Sequence, residues 1–283
     1  GLLRGGYGDV IGALPVLQAL ALVPLLLRLL RLQPEGERDE GRLVLVAGAI
    51  LAFVTAAIPL QLEKEWITLG WALQAVALAW LHGRIPHRGL RLWMAGLTVL
   101  VFARLALNPA VLAYHAKSAV PVFNWYLYTY LGAAAAFFAS ARLLRDQDDG
   151  YPGLPRLSTV QAVLAAVLLF LLLNIEIADC FSTGRGLTIG LLGGGLAQGL
   201  SYTIGWAVYG IGLLVAGLAL RNRPTRVAAI VLVTVTIAKA FLYDLRVLTG
   251  LYRVAAFVGL AACLTLVALM LQKFVLQRSE EEA

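Results

Sequence analysis

Read for polarity alone, the chain is a succession of apolar runs separated by Pro, Gly and clusters of charge. The runs fall at 10–30, 43–62, 66–82, 91–107, 125–144, 158–178, 200–220, 226–244 and 253–275. A membrane-crossing helix needs about 20 mostly apolar residues to span a hydrocarbon core about 30 Å thick. The pattern therefore predicts an all-α, polytopic transmembrane bundle of nine spans, with its two termini on opposite sides. The tightest link is "LEKEW" at 62–66.

Composition agrees with this reading. Of 283 residues, 60% are hydrophobic and 14% charged, whereas soluble domains run at about 45–50% apolar and about 25% charged. The mean hydropathy is +0.83. A formal net charge of +7 raises the question of nucleic acid, but no basic run is interleaved with stacking aromatics, so no nucleic-acid partner is expected. The expected partners are membrane lipid and other transmembrane segments or subunits. Two cysteines, Cys180 and Cys263, fall far apart and are expected to be unpaired. The chain starts at Gly1 without a basic stretch before its first run, so a cleaved signal peptide is not expected. Residues 1–283 are expected to form a single transmembrane helical domain, the carboxy-terminal portion of a longer protein.

Charge assigns the sides. With loops numbered alternately, fifteen Lys and Arg fall on one side and eight on the other. By the positive-inside bias the richer side is cytoplasmic, which places the N-terminus outside and the C-terminus inside. The inner arginines sit in hydrophilic loops or at span ends, where long side chains snorkel to water. The outer-side cations differ. Lys239 and Arg104 each lie 13 residues from the arginine opening their span, Arg226 and Arg91, or about 20 Å into the membrane at 1.5 Å per residue.

A cation at mid-span costs roughly 2.5–3.5 kcal/mol on insertion scales, so it needs a partner or water. Candidate partners lie in the same half. Asn174, Glu176 and Asp179 close the sixth run in "LLLNIEIADC", with Glu176 and Asp179 three apart and thus on neighbouring faces of a helix. Lys239, Tyr243 and Arg246 form one helical stripe, Asp244 lies beside it, and Asn108 follows Arg104 by four. The Gly-rich stretch 182–201 lacks a phosphate-loop Lys and follows no strand, so it reads as an outer segment bringing Arg185 and Gln198 near the set. Polar side chains also serve as interhelical glue. One-sidedness favours function over glue.

Other features read more simply. Trp125, Tyr126, Tyr128 and Tyr130 read as an interfacial aromatic belt, with a sugar-stacking platform as the sharper alternative. Ser201, Gly205, Gly212 and Ala216 make a small-residue stripe, and Tyr202, Trp206 and Tyr209 an aromatic one. His82 and His87 read as solvated, no metal-ligand spacing is present, and no cofactor is expected. His115 lies outside, near Lys117. No catalytic signature appears.

Residues 201–274 carry S-x4-W-x2-Y, a basic loop, and then K-x-F-x2-D-L-x2-L-x-G-x-Y-R-x3-F-x-G-L. This region resembles the carboxy-terminal part of the domain-of-unknown-function 2339 family of bacterial membrane proteins, and "LGWALQAVALAWL" at 69–81 and "RLALN" at 104–108 fit as well. The resemblance implies an integral inner-membrane protein and brings no catalytic assignment. The family's motif positions fall on Arg104, Asn108, Asn174, Glu176, Ser201, Trp206, Lys239, Asp244, Tyr252 and Arg253. Gln74 stands where the family often has Glu, which removes a carboxylate from the third span. Three functions compete: binding or transport of an anionic, zwitterionic or envelope-related solute; an outer-leaflet enzyme acting on a lipid-linked saccharide, with Glu176 or Asp244 as base; and a structural bundle within a larger assembly.

Overall fold

The computed structural model describes residues 13–32, 40–62, 65–84, 86–113, 122–145, 155–182, 187 and 195–244, and nine residues between Val254 and Leu269. Among them every regular element is helical: α1 (Ala13–Leu32), α2 (Glu40–Gln61), α3 (Glu65–His82), α4 (Arg88–Ala106), α5 (Trp125–Leu144), α6 (Leu157–Phe181), α7 (Leu196–Ala219) and α8 (Arg223–Lys239). A short 3-10 turn lies at Pro109–Ala113, and a π-helical turn at Ala240–Asp244 continues α8. These helices coincide, within a few residues at each end, with the first eight apolar runs. The described residues of the ninth run are helical and exposed; its remainder lies outside the described residues.

Among the described residues, six helical stretches are long and apolar enough to cross a membrane: Gly41–Leu60, Arg88–Ala106, Trp125–Leu144, Leu157–Phe181, Leu196–Ala219 and Arg223–Tyr243. Ala13–Leu29 and Trp66–His82 are shorter apolar helices. Their outward faces are apolar too, with Leu73 65% exposed, Leu92 63% and Val208 66%. Water would penalise so much uncovered hydrocarbon surface, whereas lipid would not.

Local sequence sets the helix ends. Asn124 caps α5 by accepting from Leu127 N–H, as short polar side chains do at N-caps. Pro109 follows Asn108 and ends α4, because the residue before proline is pushed out of the helical region. At the other end of the α7 hairpin, Arg221 N–H bonds Leu218 O and Asn222 N–H bonds Gly217 O. That is a Schellman ending, with Arg221 at φ 50 in the place usually taken by glycine.

The helices fall into two compact units, residues 1–188 and 189–283. In the first, α5 packs most extensively on α6 and α3, and α1 pairs with α2. Lipid tails are as apolar as Leu, so close packing must supply what the hydrophobic effect does not. The facing surfaces accordingly carry Ala72 on α3, Ala133, Ala134 and Ala136 on α5, and Ala165 on α6, all buried in one core with Phe137 and Leu168.

The same core corrects the aromatic expectation. Trp125, Tyr126 and Tyr130 are buried in it rather than ringing an interface, and only Tyr128 of the four remains exposed, stacked on Trp66 at 6.2 Å between ring centres. The buried hydroxyls are consumed internally: Tyr126 donates to Leu112 O at 2.7 Å and Tyr130 to Leu105 O at 2.8 Å. His82 is likewise buried, not solvated, because the end of α3 lies in the packed face of that helix. His87 is half-buried and caps α4, accepting from Gly89 N–H.

In the second unit α7 and α8 are antiparallel and very close. A Cβ at Gly217 would lie 2.9 Å from Arg226 N, and one at Gly210 would lie 2.8 Å from Val233 Cγ2. The small residues pressed against α8 are therefore Gly210 and Gly217, whereas at Gly212, one of the stripe read from sequence, a Cβ would meet nothing within 4 Å.

Candidate functional site

α6 has 25 residues and is about 37 Å long at 1.5 Å per residue, longer than a hydrocarbon core of about 30 Å. A helix of that length can carry its polar final turns to the membrane's edge. There Glu176 and Asp179 meet the start of α5, where Asn124 Nδ2 donates to Glu176 Oε2 at 3.0 Å and to Asp179 Oδ2 at 3.4 Å. The other end of the same amide accepts from Leu127 N–H at 3.0 Å. Asn124 and Asp179 are buried, Glu176 is half-buried, and Glu176 Oε1 is a buried oxygen without a hydrogen-bond partner. Tyr126 lies within electrostatic reach of both carboxylates. The arrangement is an acidic pair held by one neutral amide, with an acceptor oxygen to spare.

Arg104 lies in the same unit near the same end of the bundle, with Nε donating to the fully buried Thr68 Oγ1 at 3.0 Å. Asn108 Oδ1 accepts from Ala110 N–H at 3.1 Å and so caps the 3-10 turn. Asn174 is buried and turns its amide back to Phe170 O at 2.7 Å.

Below this end the α5–α6 interface changes character. Between Tyr130 and Ser140 on α5, and between Gln161 and Asn174 on α6, every residue is apolar, and Ala133, Phe137, Ala165 and Leu168 are fully buried. On α6 that interval is 13 residues, or about 20 Å of helix. Beyond it lies a separate buried pair, Gln161 Nε2 donating to Thr98 Oγ1 at 3.0 Å.

In the second unit Lys239 is buried at the end of α8, and its ammonium donates to Thr203 Oγ1 at 2.7 Å and Gly199 O at 2.9 Å on α7. The side chain of Asp244, one of the carboxylates expected for it, lies outside the described residues, and two oxygens of the neighbouring helix take this cation. Close approach at Gly210 and Gly217 brings the α7 backbone within its reach. Ser201 bonds Ala197 O within α7 at 2.9 Å, and Trp206 is half-buried. The stripe expected to link Lys239 and Tyr243 is broken, with Lys239 buried and Tyr243 exposed. The intervening turn is π-helical, and its wider i→i+5 spacing rotates Tyr243 away from the face of Lys239. Arg185, Arg246, Tyr252 and Arg253 lie outside the described residues, as does the Asp244 side chain.

Thus Glu176 and Asp179 are brought together, and Arg104 and Lys239 are each tied to a hydroxyl of an adjacent helix. Asn124, Thr68 and Thr203 were missed by sequence reasoning. Asn124 was legible as a helix start ahead of an aromatic run, but nothing local marked it as the partner of residues some fifty positions later. Gln74, which stands where the family often has Glu, donates to Thr55 Oγ1 at 2.6 Å and Leu51 O at 3.0 Å, joining α3 to α2. Among the described residues, no group of three His, Cys, Asp or Glu side chains could hold a metal ion.

A family model described as a predicted membrane protein, DUF2339, matches residues 85–274. The chain belongs to the DUF2339 family. The DUF2339 match takes in α4 through α8 and both polar sets, whereas α1 to α3, with Thr68 and Gln74, precede it. Family and apolar helices together make this an integral, multi-pass membrane protein. No curated protein and no solved structure matches the chain.

Proposed function

We propose that this DUF2339 protein binds an envelope-related solute at a one-sided polar site in the outer part of its first unit. The observation that supports the reading is the convergence of Asn124, Glu176 and Asp179 above an apolar α5–α6 interior. A route for a polar solute between these two helices would need polar side chains along the way; a binding site at one end does not. Two carboxylates and a spare acceptor suit an ammonium or another donor group, and Arg104 near the same end suits an anionic one. The solute class that uses both is zwitterionic, as in amino-sugar phosphates and phosphoethanolamine.

In this reading the chain spans a bacterial inner membrane nine times, N-terminus out, with the site facing away from the cytoplasm. Reconstituted protein is expected to melt at a higher temperature with O-phosphoethanolamine or glucosamine 6-phosphate, and Glu176→Gln with Asp179→Asn to lose that shift. No shift in the unaltered protein with either compound would end the solute reading. Sidedness is tested by labelling an Asn222→Cys variant that also carries Cys180→Ser and Cys263→Ser with an impermeant maleimide in intact cells: labelling only after lysis is expected, and labelling from outside would reverse the assignment.

A structural reading has its own support. Asn124 also caps α5, and Lys239 clamps α7 to α8. If the Glu176 and Asp179 variants simply unfold, that reading gains.

A further inference from the structure

The turn that presents Asn124 is strained. Val122 has φ 70, a left-handed conformation in which a β-branched residue is a genuine outlier. Asn124 N–H then donates back to Val122 O at 3.0 Å, closing a tight three-residue turn. Strain of this kind persists only where the surroundings impose it, and the Asn124 side chain supplies contacts that hold this turn in place. Asn124 accepts from Leu127 N–H through Oδ1 and donates to Glu176 and Asp179 through Nδ2.

The other end of the same α4–α5 connection is also fastened to this region. The 3-10 turn Pro109–Ala113 buries Val111 in a core with Trp125, Tyr126 and Ile175. Tyr126, which lies near both carboxylates, holds Leu112 O. The carboxylates, Asn124 and the described ends of the connection thus form one set of contacts.

We propose that Asn124 is a conformational switch coupling the state of Glu176 and Asp179 to the α4–α5 connection. A cation or hydrogen-bond donor that takes over Glu176 Oε2 and Asp179 Oδ2, the two oxygens held by Asn124 Nδ2, competes with that amide. Once that amide lets go, the strained 122–124 turn relaxes, and the α5 cap and the 3-10 turn loosen with it. The binding event would then be reported at the membrane surface without any rearrangement of the apolar α5–α6 interior. This rests on the carboxylate pair being a binding site, but its test needs no ligand.

Hydrogen exchange of the full chain in lipid nanodiscs provides the test. Replacing both acceptors, Glu176→Ala with Asp179→Ala, is expected to speed exchange at Ala110, Val111 and Leu127 by about tenfold while Ala133–Ser140 keeps its original rate, the pattern of a local opening. Unchanged rates at those three amides would overturn the switch. Adding Val122→Gly is expected to return them most of the way, because glycine holds a positive φ without strain; absence of that rescue would also overturn it. If the double alanine variant exchanges throughout α5, Glu176→Gln with Asp179→Asn keeps the side-chain volume and must still loosen the three amides about threefold. A protein that binds neither phosphoethanolamine nor glucosamine 6-phosphate but shows these changes removes the solute reading alone. One that binds them without the changes removes the switch alone.

Discussion

The two units solve the same electrostatic problem in opposite ways. In residues 189–283 a buried cation, Lys239, is met by oxygens of the adjacent helix, one of them a backbone carbonyl that is fixed once α7 and α8 are in contact. In residues 1–188 two acidic side chains are met by Asn124, which belongs to the end of a connection and sits on a strained turn. The first arrangement moves only if two helices separate; the second changes if one amide rotates. That difference is why the acidic pair reads as a site and the lysine as a clamp.

The comparison can be broken or sharpened by substitution. Asn124→Ala removes an N-cap and leaves two carboxylates without their donor. Caps contribute about 0.5–2 kcal/mol and hydrogen bonds to charged groups about 1.5–3 kcal/mol, so a loss of about 3 kcal/mol in denaturant unfolding is expected. A loss below about 0.5 kcal/mol would mean the carboxylates do not depend on Asn124. Gly217→Ala, whose new methyl would press on the Arg226 backbone, is expected to cost about 2 kcal/mol, within the range for overpacking. Its effect should be confined to the α7–α8 unit, read as faster exchange there and unchanged exchange in α5.

Lys239→Met is expected to cost only about 1 kcal/mol, since interhelical hydrogen bonds in membranes average about 0.6 kcal/mol each. A larger loss, approaching that of Asn124→Ala, would erase the distinction drawn between the two units. Arg221→Gly should stabilise slightly. Relief of the left-handed conformation, about 1–2 kcal/mol, is partly offset by the entropy glycine brings to the unfolded chain, about 0.5–1 kcal/mol. A rise in unfolding midpoint corresponding to about 0.5 kcal/mol is expected.

Part of the candidate site was legible in advance. Glu176 and Asp179 stand out as carboxylates ending an otherwise apolar run, and their three-residue spacing does place them together. Lys239 and Arg104 were visible for the same reason, as charges too deep in apolar runs. Their partners were not, because Thr68, Thr203 and Gly199 are ordinary residues in membrane helices and become ligands only through proximity. The aromatic cluster misled for a related cause: Trp125, Tyr126 and Tyr130 look like interfacial anchors in sequence, but two tyrosine hydroxyls find backbone carbonyls, of Leu105 and Leu112, and so can be buried.

What the sequence determined by itself is the chain's solvent and its elements. Apolar runs of spanning length dictate helices in lipid because every backbone polar group must be satisfied within its own segment, and that requirement needs no knowledge of neighbours. What only the tertiary structure decided is which polar atoms meet. Asn124 to Glu176 is a bond across 52 positions and Lys239 to Thr203 one across 36. Such pairings depend on helix register and on the path of a connection, which hydrophobic periodicity does not encode.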